Sequence, residues 1–207
     1  MIGIFDSGQG GLTVLKAIRE VLPSSDILYF GDTKNAPYGC RSRLELSHLT
    51  SQGLKLLQDR GATSIVSACN SVSASLVPSL FDSFSLPASH PIEMVGPTVR
   101  YFRGSTARIA LCATVATIES GIYQNAFAMI GKEVEMIPIP DLALAIEQGA
   151  DASTIEVVIR QAFGSTPHTF DVVVLACTHY PLVTPTFRKV LGNVIAIFDP
   201  AVAVAER

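Results

Sequence analysis

The sequence predicts an α/β fold with two pseudo-symmetric lobes, each a mainly parallel sheet flanked by helices, and the active site in the cleft between them. Two observations support this prediction. Short β-branched runs alternate with amphipathic segments along the whole chain, which is typical of repeated βα units. The two halves of the chain also resemble each other at an offset of about 108 residues, the separation of Cys69 and Cys177.

The strands and helices follow from hydrophobic periodicity. Between the strands, residues 12–21 carry apolar side chains every three or four positions, as in an amphipathic helix, and Pro23 ends this pattern. Residues 44–57 show the same spacing, and the proline-containing stretch 87–97 is expected to cross between the lobes. Strands are predicted at residues 2–5, 27–30, 63–67, 92–95, 108–112, 133–137, 171–175 and 194–198.

A chain of 207 residues is long enough for two small lobes with their own cores. We expect the first lobe at residues 1–95 and the second at 96–191. Residues 192–207 are expected to return toward the first lobe.

Composition excludes several classes of function. The net charge of −3 is unsuited to a nucleic-acid-binding surface, which needs clustered Lys and Arg. Mean hydropathy is high at +0.39, but the longest apolar runs, such as residues 172–177, are far shorter than the roughly 20 residues of a membrane-spanning helix. The first residues also lack the basic and apolar regions of a secretory signal. We therefore expect a cytoplasmic protein without nucleic-acid or membrane partners.

Cysteine spacing argues against disulfides and structural zinc. The four cysteines, at positions 40, 69, 112 and 177, are far apart and form no C-x-x-C pair. A dithiol redox protein is accordingly the weakest alternative. Cys40 and Cys112 are expected to be packing residues.

The internal similarity places one thiol in each lobe. Residues 65–71, Ile-Val-Ser-Ala-Cys-Asn-Ser, resemble residues 173–179, Val-Val-Leu-Ala-Cys-Thr-His, and Ser7 and Thr114 end the first strand of each half. Carboxyl ends of parallel strands form the ligand-binding edge of open α/β sheets. Facing lobes would therefore bring Cys69 and Cys177 to opposite sides of one cleft.

Two opposed thiols can remove a proton from one face of a stereocentre and return one to the other face without a cofactor. A thiol has a pKa near 8.5, and burial alone would raise it, so helix amino termini, cations or hydrogen bonds would have to favour the thiolate. Asp6 and His179 are candidate acid/base neighbours. Buried packing is the alternative explanation for either cysteine.

A glycine-rich segment, residues 6–12, follows the first strand and opens a helix. It lacks the full G-x-G-x-x-G pattern because Thr13 stands at the last glycine position. Its backbone N–H groups could bind a small anion while Asp6 and Ser7 bind an ammonium group. A purely structural turn is an equally good interpretation.

Five segments together resemble the signature segments of glutamate racemases, in the aspartate/glutamate racemase superfamily. They are Phe5-Asp-Ser-Gly-Gln-Gly-Gly-Leu12, residues 32–39 ending in Ala-Pro-Tyr-Gly, Ala68-Cys-Asn-Ser-Val-Ser-Ala74, residues 113–120 with Tyr123, and Ala176-Cys-Thr-His-Tyr-Pro-Leu182. The resemblance implies cofactor-independent interconversion of L- and D-glutamate, with no metal, that supplies D-glutamate for peptidoglycan and hence cell-wall biogenesis and cell shape. A homodimer is compatible with it.

The resemblance also implies roles for individual residues. Cys69 and Cys177 match the two acid/base thiols, with Cys177 the base for the L-enantiomer, and Asp6, His179 and Glu147 match further catalytic positions. The implied substrate-binding positions are Asp6, Ser7, Pro37, Tyr38, Gly39, Asn70, Ser71, Thr114, Thr117, Thr178 and His179.

The chain departs from the family pattern in a few places. Gln9 replaces a usual aliphatic residue, Ser71 replaces a usual Thr, and residues 94–97 lack the usual Glu-Pro. The segment after residue 191 is expected to be shortened. An aspartate racemase or a related isomerase, and a degenerate homologue that binds an amino acid without racemising it, remain as alternatives.

Overall fold

The first lobe contains a parallel sheet of four strands. The computed structural model describes residues 1–73, 91–164 and 169–207. The strands are β1 (Ile2–Asp6), β2 (Ile27–Gly31), β3 (Ser64–Ser67) and β4 (Ile92–Glu93). The helices are α1 (Leu12–Val21), α2 (Arg43–Asp59) and α3 (Asn70–Ser73), with short 3₁₀ segments at Thr33–Asn35 and Tyr38–Cys40. Helix α4 (Val95–Tyr101) follows β4 and packs in the core of the second lobe.

The second lobe repeats this plan. Its strands are β5 (Ile109–Ala113), β6 (Val134–Pro138), β7 (Val172–Ala176) and β8 (Ala196–Phe198). Its helices are α5 (Val115–Glu119), α6 (Ile122–Ala128), α7 (Leu142–Glu147), α8 (Ala152–Phe163), α9 (Thr184–Leu191) and α10 (Pro200–Ala205), with a 3₁₀ segment at Tyr180–Val183.

The two sheets have equivalent strand orders, β2-β1-β3-β4 and β6-β5-β7-β8, and all their pairings are parallel. In register, Ile4 lies between Tyr29 and Val66, and Leu111 lies between Met136 and Val174. This arrangement confirms the predicted α/β fold of two similar lobes. Of the predicted crossing at 87–97, residues 87–90 lie outside the described residues.

Local chemistry fixes the helix boundaries. Ser42 and Glu45 form a capping box at the start of α2, in which each side chain binds the other residue's backbone N–H. The strand predicted at 92–95 ends early, at Glu93, because the Glu93 carboxylate accepts hydrogen bonds at 2.6 Å from the N–H groups of Val95 and Gly96 and thereby begins α4.

The cores lie on both faces of the sheets. Every residue of β5 and β7 is buried, which explains the continuous apolar runs in the sequence. In the first lobe Val14 and Ile18 on α1 pack in one cluster with Ala201 and Val204 of α10. The last described helix therefore packs against the first lobe, although it follows a strand of the second.

Two further predictions are tested by burial. Cys112 is fully buried, as expected of a packing residue. The same expectation for Cys40 is wrong, because its 3₁₀ segment buries Tyr38 and leaves the Cys40 thiol exposed. Across the described residues, no helix is both long and apolar enough to cross a membrane.

Candidate active site

A cavity of about 200 Å³ lies between the two lobes, at the carboxyl ends of their strands. Apart from Asp6 and Thr117, every residue proposed for the site lines it. These lining residues are Ser7, Pro37, Tyr38, Gly39, Cys69, Asn70, Ser71, Thr114, Glu147, Cys177, Thr178 and His179. The volume is below the roughly 300–1,000 Å³ of typical ligand pockets, so the cavity suits a small metabolite.

The two thiols occupy equivalent positions in the two lobes. Cys69 follows β3 and precedes α3, whereas Cys177 follows β7 and precedes the 3₁₀ segment at Tyr180–Val183. Both side chains are nearly buried, with 5% and 7% of their surface exposed. The cavity therefore has one thiol from each lobe.

Burial keeps both thiols protonated in the free protein. Burial and, after it, the nearby Asp6 charge raise the pKa of Cys69 to about 11, although hydrogen bonding with Ser7 Oγ, 3.4 Å from the sulfur, opposes the rise. Burial also raises the pKa of Cys177, more strongly than the opposing hydrogen bond from the backbone N–H of His179 lowers it. Hydrogen bonds from the backbone N–H groups after each cysteine do favour the thiolate, as expected, but burial outweighs them in the free protein.

His179 and Glu147 form a polar chain behind Cys177. His179 Nδ1 lies 3.9 Å from the Cys177 sulfur, and Nε2 lies 2.5 Å from the Glu147 carboxylate. Glu147 also accepts a hydrogen bond at 3.3 Å from the backbone N–H of Gln9, in the other lobe. His179 and Glu147 can therefore carry a proton away from Cys177. Glu147 also joins the two lobes.

Asp6 is fully buried beneath the glycine turn. Its carboxylate accepts hydrogen bonds at 3.0 Å from the N–H groups of Gly8 and Gly11, and at 3.2 Å from the Thr178 hydroxyl of the other lobe. Burial raises its pKa, and His179, when protonated, opposes the rise. Asp6 and Glu147 thus occupy the N–H groups of Gly8, Gln9 and Gly11, which favours the interpretation of the segment as a structural turn.

A cluster of hydroxyl groups joins the lobes on the side of Cys69. Ser71 Oγ lies 3.0 Å from Thr114 Oγ1 and 3.4 Å from Thr117 Oγ1, and the two threonine hydroxyls are 3.1 Å apart. Thr117 is fully buried and does not line the cavity, so it supports the other two hydroxyls.

Asn70 presents an amide to the cavity. Its Oδ1 accepts a hydrogen bond at 2.6 Å from the hydroxyl of Tyr123, in the second lobe. Its Nδ2 is buried and has no hydrogen-bond partner among the described residues. A buried donor without a partner is costly, so this group is suited to a ligand acceptor.

The segment of Pro37, Tyr38 and Gly39 also lines the cavity. The peptide bond between Ala36 and Pro37 is cis, and the Tyr38 hydroxyl donates a 2.7 Å hydrogen bond to Asp32. A Cβ on Gly39 would lie 2.8 Å from Thr114 Cγ2, so glycine allows the lobes to approach closely here.

Five lining residues were not predicted from the sequence: Thr33, Ala36, Ala143, Leu144 and Gln148. Thr33 and Ala36 lie within the segment 32–39 that carries the family resemblance. Ala143 lies four residues before Glu147, on the same side of α7, so helical spacing from Glu147 could have indicated it.

The cavity lacks the basic side chains that usually bind anions. Among its described lining residues there is no lysine or arginine, and its polar groups are hydroxyls, thiols, amides, a carboxylate and one imidazole. No group of three or more His, Cys, Asp or Glu side chains that could hold a metal ion occurs within residues 1–73, 91–164 and 169–207.

The chain is similar to known racemases over nearly its whole length. The family model described as Asp/Glu/Hydantoin racemase matches residues 11–207. A glutamate racemase from Aquifex aeolicus is 38% identical over 197 residues, which cover 95% of this chain and 77% of that protein.

Solved structures extend this similarity to the fold. A glutamate racemase isoform from Bacillus anthracis aligns with a TM-score of 0.88 at 31% identity, over 100% of this chain and 79% of that one. The glutamate racemase from Francisella tularensis, crystallised with D-glutamate, aligns with a TM-score of 0.85 at 29% identity, over 99% and 78% of the two chains. The protein thus belongs to the Asp/Glu/Hydantoin racemase family of enzymes.

Proposed function

We propose that the protein interconverts L- and D-glutamate by an acid/base mechanism that uses Cys69 and Cys177 and needs no cofactor. One observation carries the proposal: two thiols from equivalent positions of two similar lobes line a single small cavity. The glutamate racemases among its relatives, one of them crystallised with D-glutamate, support glutamate as the substrate.

The reaction needs one base and one acid on opposite faces of the α-carbon. In the direction from L to D, the Cys177 thiolate removes the α-proton, and the C–H electron pair remains on the substrate as a carbanion delocalised into the α-carboxylate. The Cys69 thiol then gives its proton to the opposite face and becomes the thiolate. The reverse direction begins with Cys69 as the thiolate.

A thiolate must first form from a protonated thiol, since burial raises the pKa of both cysteines. On the second side, His179 is within 3.9 Å of the sulfur and is hydrogen-bonded to Glu147, so it can accept the Cys177 proton. On the first side, Asp6 is close enough for its charge to raise the pKa of Cys69, and burial raises its own pKa toward that of a useful base.

Neutral donors would hold the substrate carboxylates. Asn70 Nδ2 is an unpartnered donor in the cavity wall, and the hydroxyls of Ser7 and Thr114 line the same space. We also propose that the product, D-glutamate, is used in peptidoglycan synthesis. The enzyme would then act in the cytoplasm.

A chiral assay tests the proposal. The protein is incubated with L-glutamate or L-aspartate, and the enantiomers are separated after derivatisation. We expect D-glutamate to form, with kcat/KM for aspartate at least about tenfold lower because one methylene in a fitted site changes binding by roughly 1–3 kcal/mol. Faster turnover of aspartate, or none of either amino acid, would refute the proposed substrate.

Cysteine variants test the mechanism in the same assay. Cys69→Ser and Cys177→Ser should each lower racemisation by at least about 100-fold, because a positioned acid/base group contributes roughly 10²–10⁴-fold and a serine hydroxyl is too weak an acid to replace it. Cys40→Ser is the matched control, since that thiol is exposed and lies outside the cavity that holds the other two. Full activity in either site variant would exclude a two-thiol mechanism.

A further inference from the structure

Tyr123 lies next to the cavity and contacts Asn70, one of the residues that line it. Its side chain is fully buried in the core of the second lobe, where its ring stacks on Phe127. It does not line the cavity. Its hydroxyl crosses to the first lobe and donates a 2.6 Å hydrogen bond to Asn70 Oδ1.

This hydrogen bond determines which end of the Asn70 amide faces the cavity. An asparagine amide has an acceptor end and a donor end of nearly the same shape. Tyr123 is a donor here because burial and the nearby Glu93 charge hold its pKa far above neutrality, so the phenol keeps its proton. With Oδ1 bound to Tyr123, the Nδ2 donor of this cavity-lining residue is left without a partner among the described residues.

The orientation matters because the cavity has few donors for an anion. No lysine or arginine is among its described lining residues, so a substrate carboxylate must be bound by neutral N–H and O–H groups. A rotated Asn70 would present a carbonyl oxygen to that carboxylate, and two acceptors would repel each other.

We propose that Tyr123 is a positioning residue that holds the Asn70 amide with its donor end toward a carboxylate of the substrate. The inference rests on the proposed function, since it assigns the ligand of Asn70 as a carboxylate of the amino acid. Asn70 directly follows Cys69, and both residues line the cavity.

Kinetics of Tyr123→Phe provide the first test. The variant keeps the ring and loses only the hydroxyl, so the amide can rotate. We expect KM for both glutamate enantiomers to rise about tenfold, equivalent to about 1.4 kcal/mol, with kcat changed less than about threefold. The effect falls on KM because an ionised carboxylate accepts this hydrogen bond in the ground state and the transition state alike.

Tyr180→Phe is the matched control. Tyr180 is also fully buried in the second lobe, but its hydroxyl donates to the backbone carbonyl of Ile139 and does not bind a side chain of the site. Both variants lose buried hydrogen bonds, those with Asn70 and Thr98 at Tyr123 and that with Ile139 at Tyr180, so thermal stability is measured beside KM. A rise in KM in both variants to the same extent would mean that loss of stability alone is responsible, and it would overturn the inference.

A double-mutant cycle separates positioning from a general structural effect. If Tyr123 acts through Asn70, Tyr123→Phe should change KM less than twofold in an Asn70→Ala background. The same tenfold change in both backgrounds, or no change in either, would overturn the inference. Wild-type turnover of glutamate reports on the proposed function by itself, while the ratios between variants report on Tyr123.

Discussion

Replacing His179 with asparagine should slow one direction of the reaction more than the other. His179 is within 3.9 Å of the Cys177 sulfur, and the opposite side of the cavity has no imidazole among its described lining residues. Burial favours the protonated form of Cys177, so forming its thiolate needs a proton acceptor. Asparagine can keep a hydrogen bond to the sulfur but cannot accept a proton.

The size of the effect follows from the geometry. Acid/base catalysis by a positioned group contributes roughly 10²–10⁴-fold, and the long sulfur-to-nitrogen contact argues for the lower end. We therefore expect kcat from L to D to fall about 100-fold, or about 2.7 kcal/mol in the activation barrier. From D to L, Cys177 enters as the protonated thiol that burial already favours, so kcat should fall less than about tenfold.

The assay is the initial rate from each enantiomer over a range of substrate concentrations. Enantiomers have equal free energy, so kcat/KM must fall equally in the two directions, and the asymmetry in kcat must be matched by KM. His48→Asn is the control, since His48 is exposed on α2. Equal fractional losses of kcat in the two directions would refute the proton-transfer role and leave His179 a substrate-positioning residue.

Two further predictions concern the thiols. Burial raises the pKa of Cys69 to about 11 and that of Cys177 as well, so the thiolate fraction in the free protein increases with pH, and kcat/KM should rise from pH 7 to 9; a flat or falling profile would contradict this. Iodoacetamide at pH 7.5 should alkylate the exposed Cys40 before the buried Cys69, Cys112 and Cys177, as followed by peptide mass spectrometry; equal labelling of a site cysteine would show that it is accessible and ionised.

Periodicity and internal similarity were sufficient to predict the fold. Buried strands such as β5 and β7 are continuous apolar runs, and the cysteine that follows a strand in each half is a local signal. The equal strand orders of the two sheets follow from the similarity of the halves. These features depend on residues that are close together in the sequence.

The hydrogen-bond partners of the polar groups in the site could not be predicted in the same way. The N–H groups of the glycine turn could in principle bind an anion, but those of Gly8 and Gly11 donate to the buried Asp6 carboxylate. Contacts between Gln9 and Glu147, and between Asn70 and Tyr123, join residues 138 and 53 positions apart. Only the packing of the two lobes brings these groups together.

Deuterium incorporation is the most direct test of the two-thiol mechanism. L-Glutamate is incubated with the protein in D₂O, and at low conversion each enantiomer is isolated and its α-position is examined by mass spectrometry. Two thiols on opposite faces predict deuterium in the D-glutamate product and none in the remaining L-glutamate, because the removed proton and the returned deuteron are on different sulfur atoms. Deuterium in both enantiomers from the earliest times would indicate a single base that serves both faces, and would contradict the account.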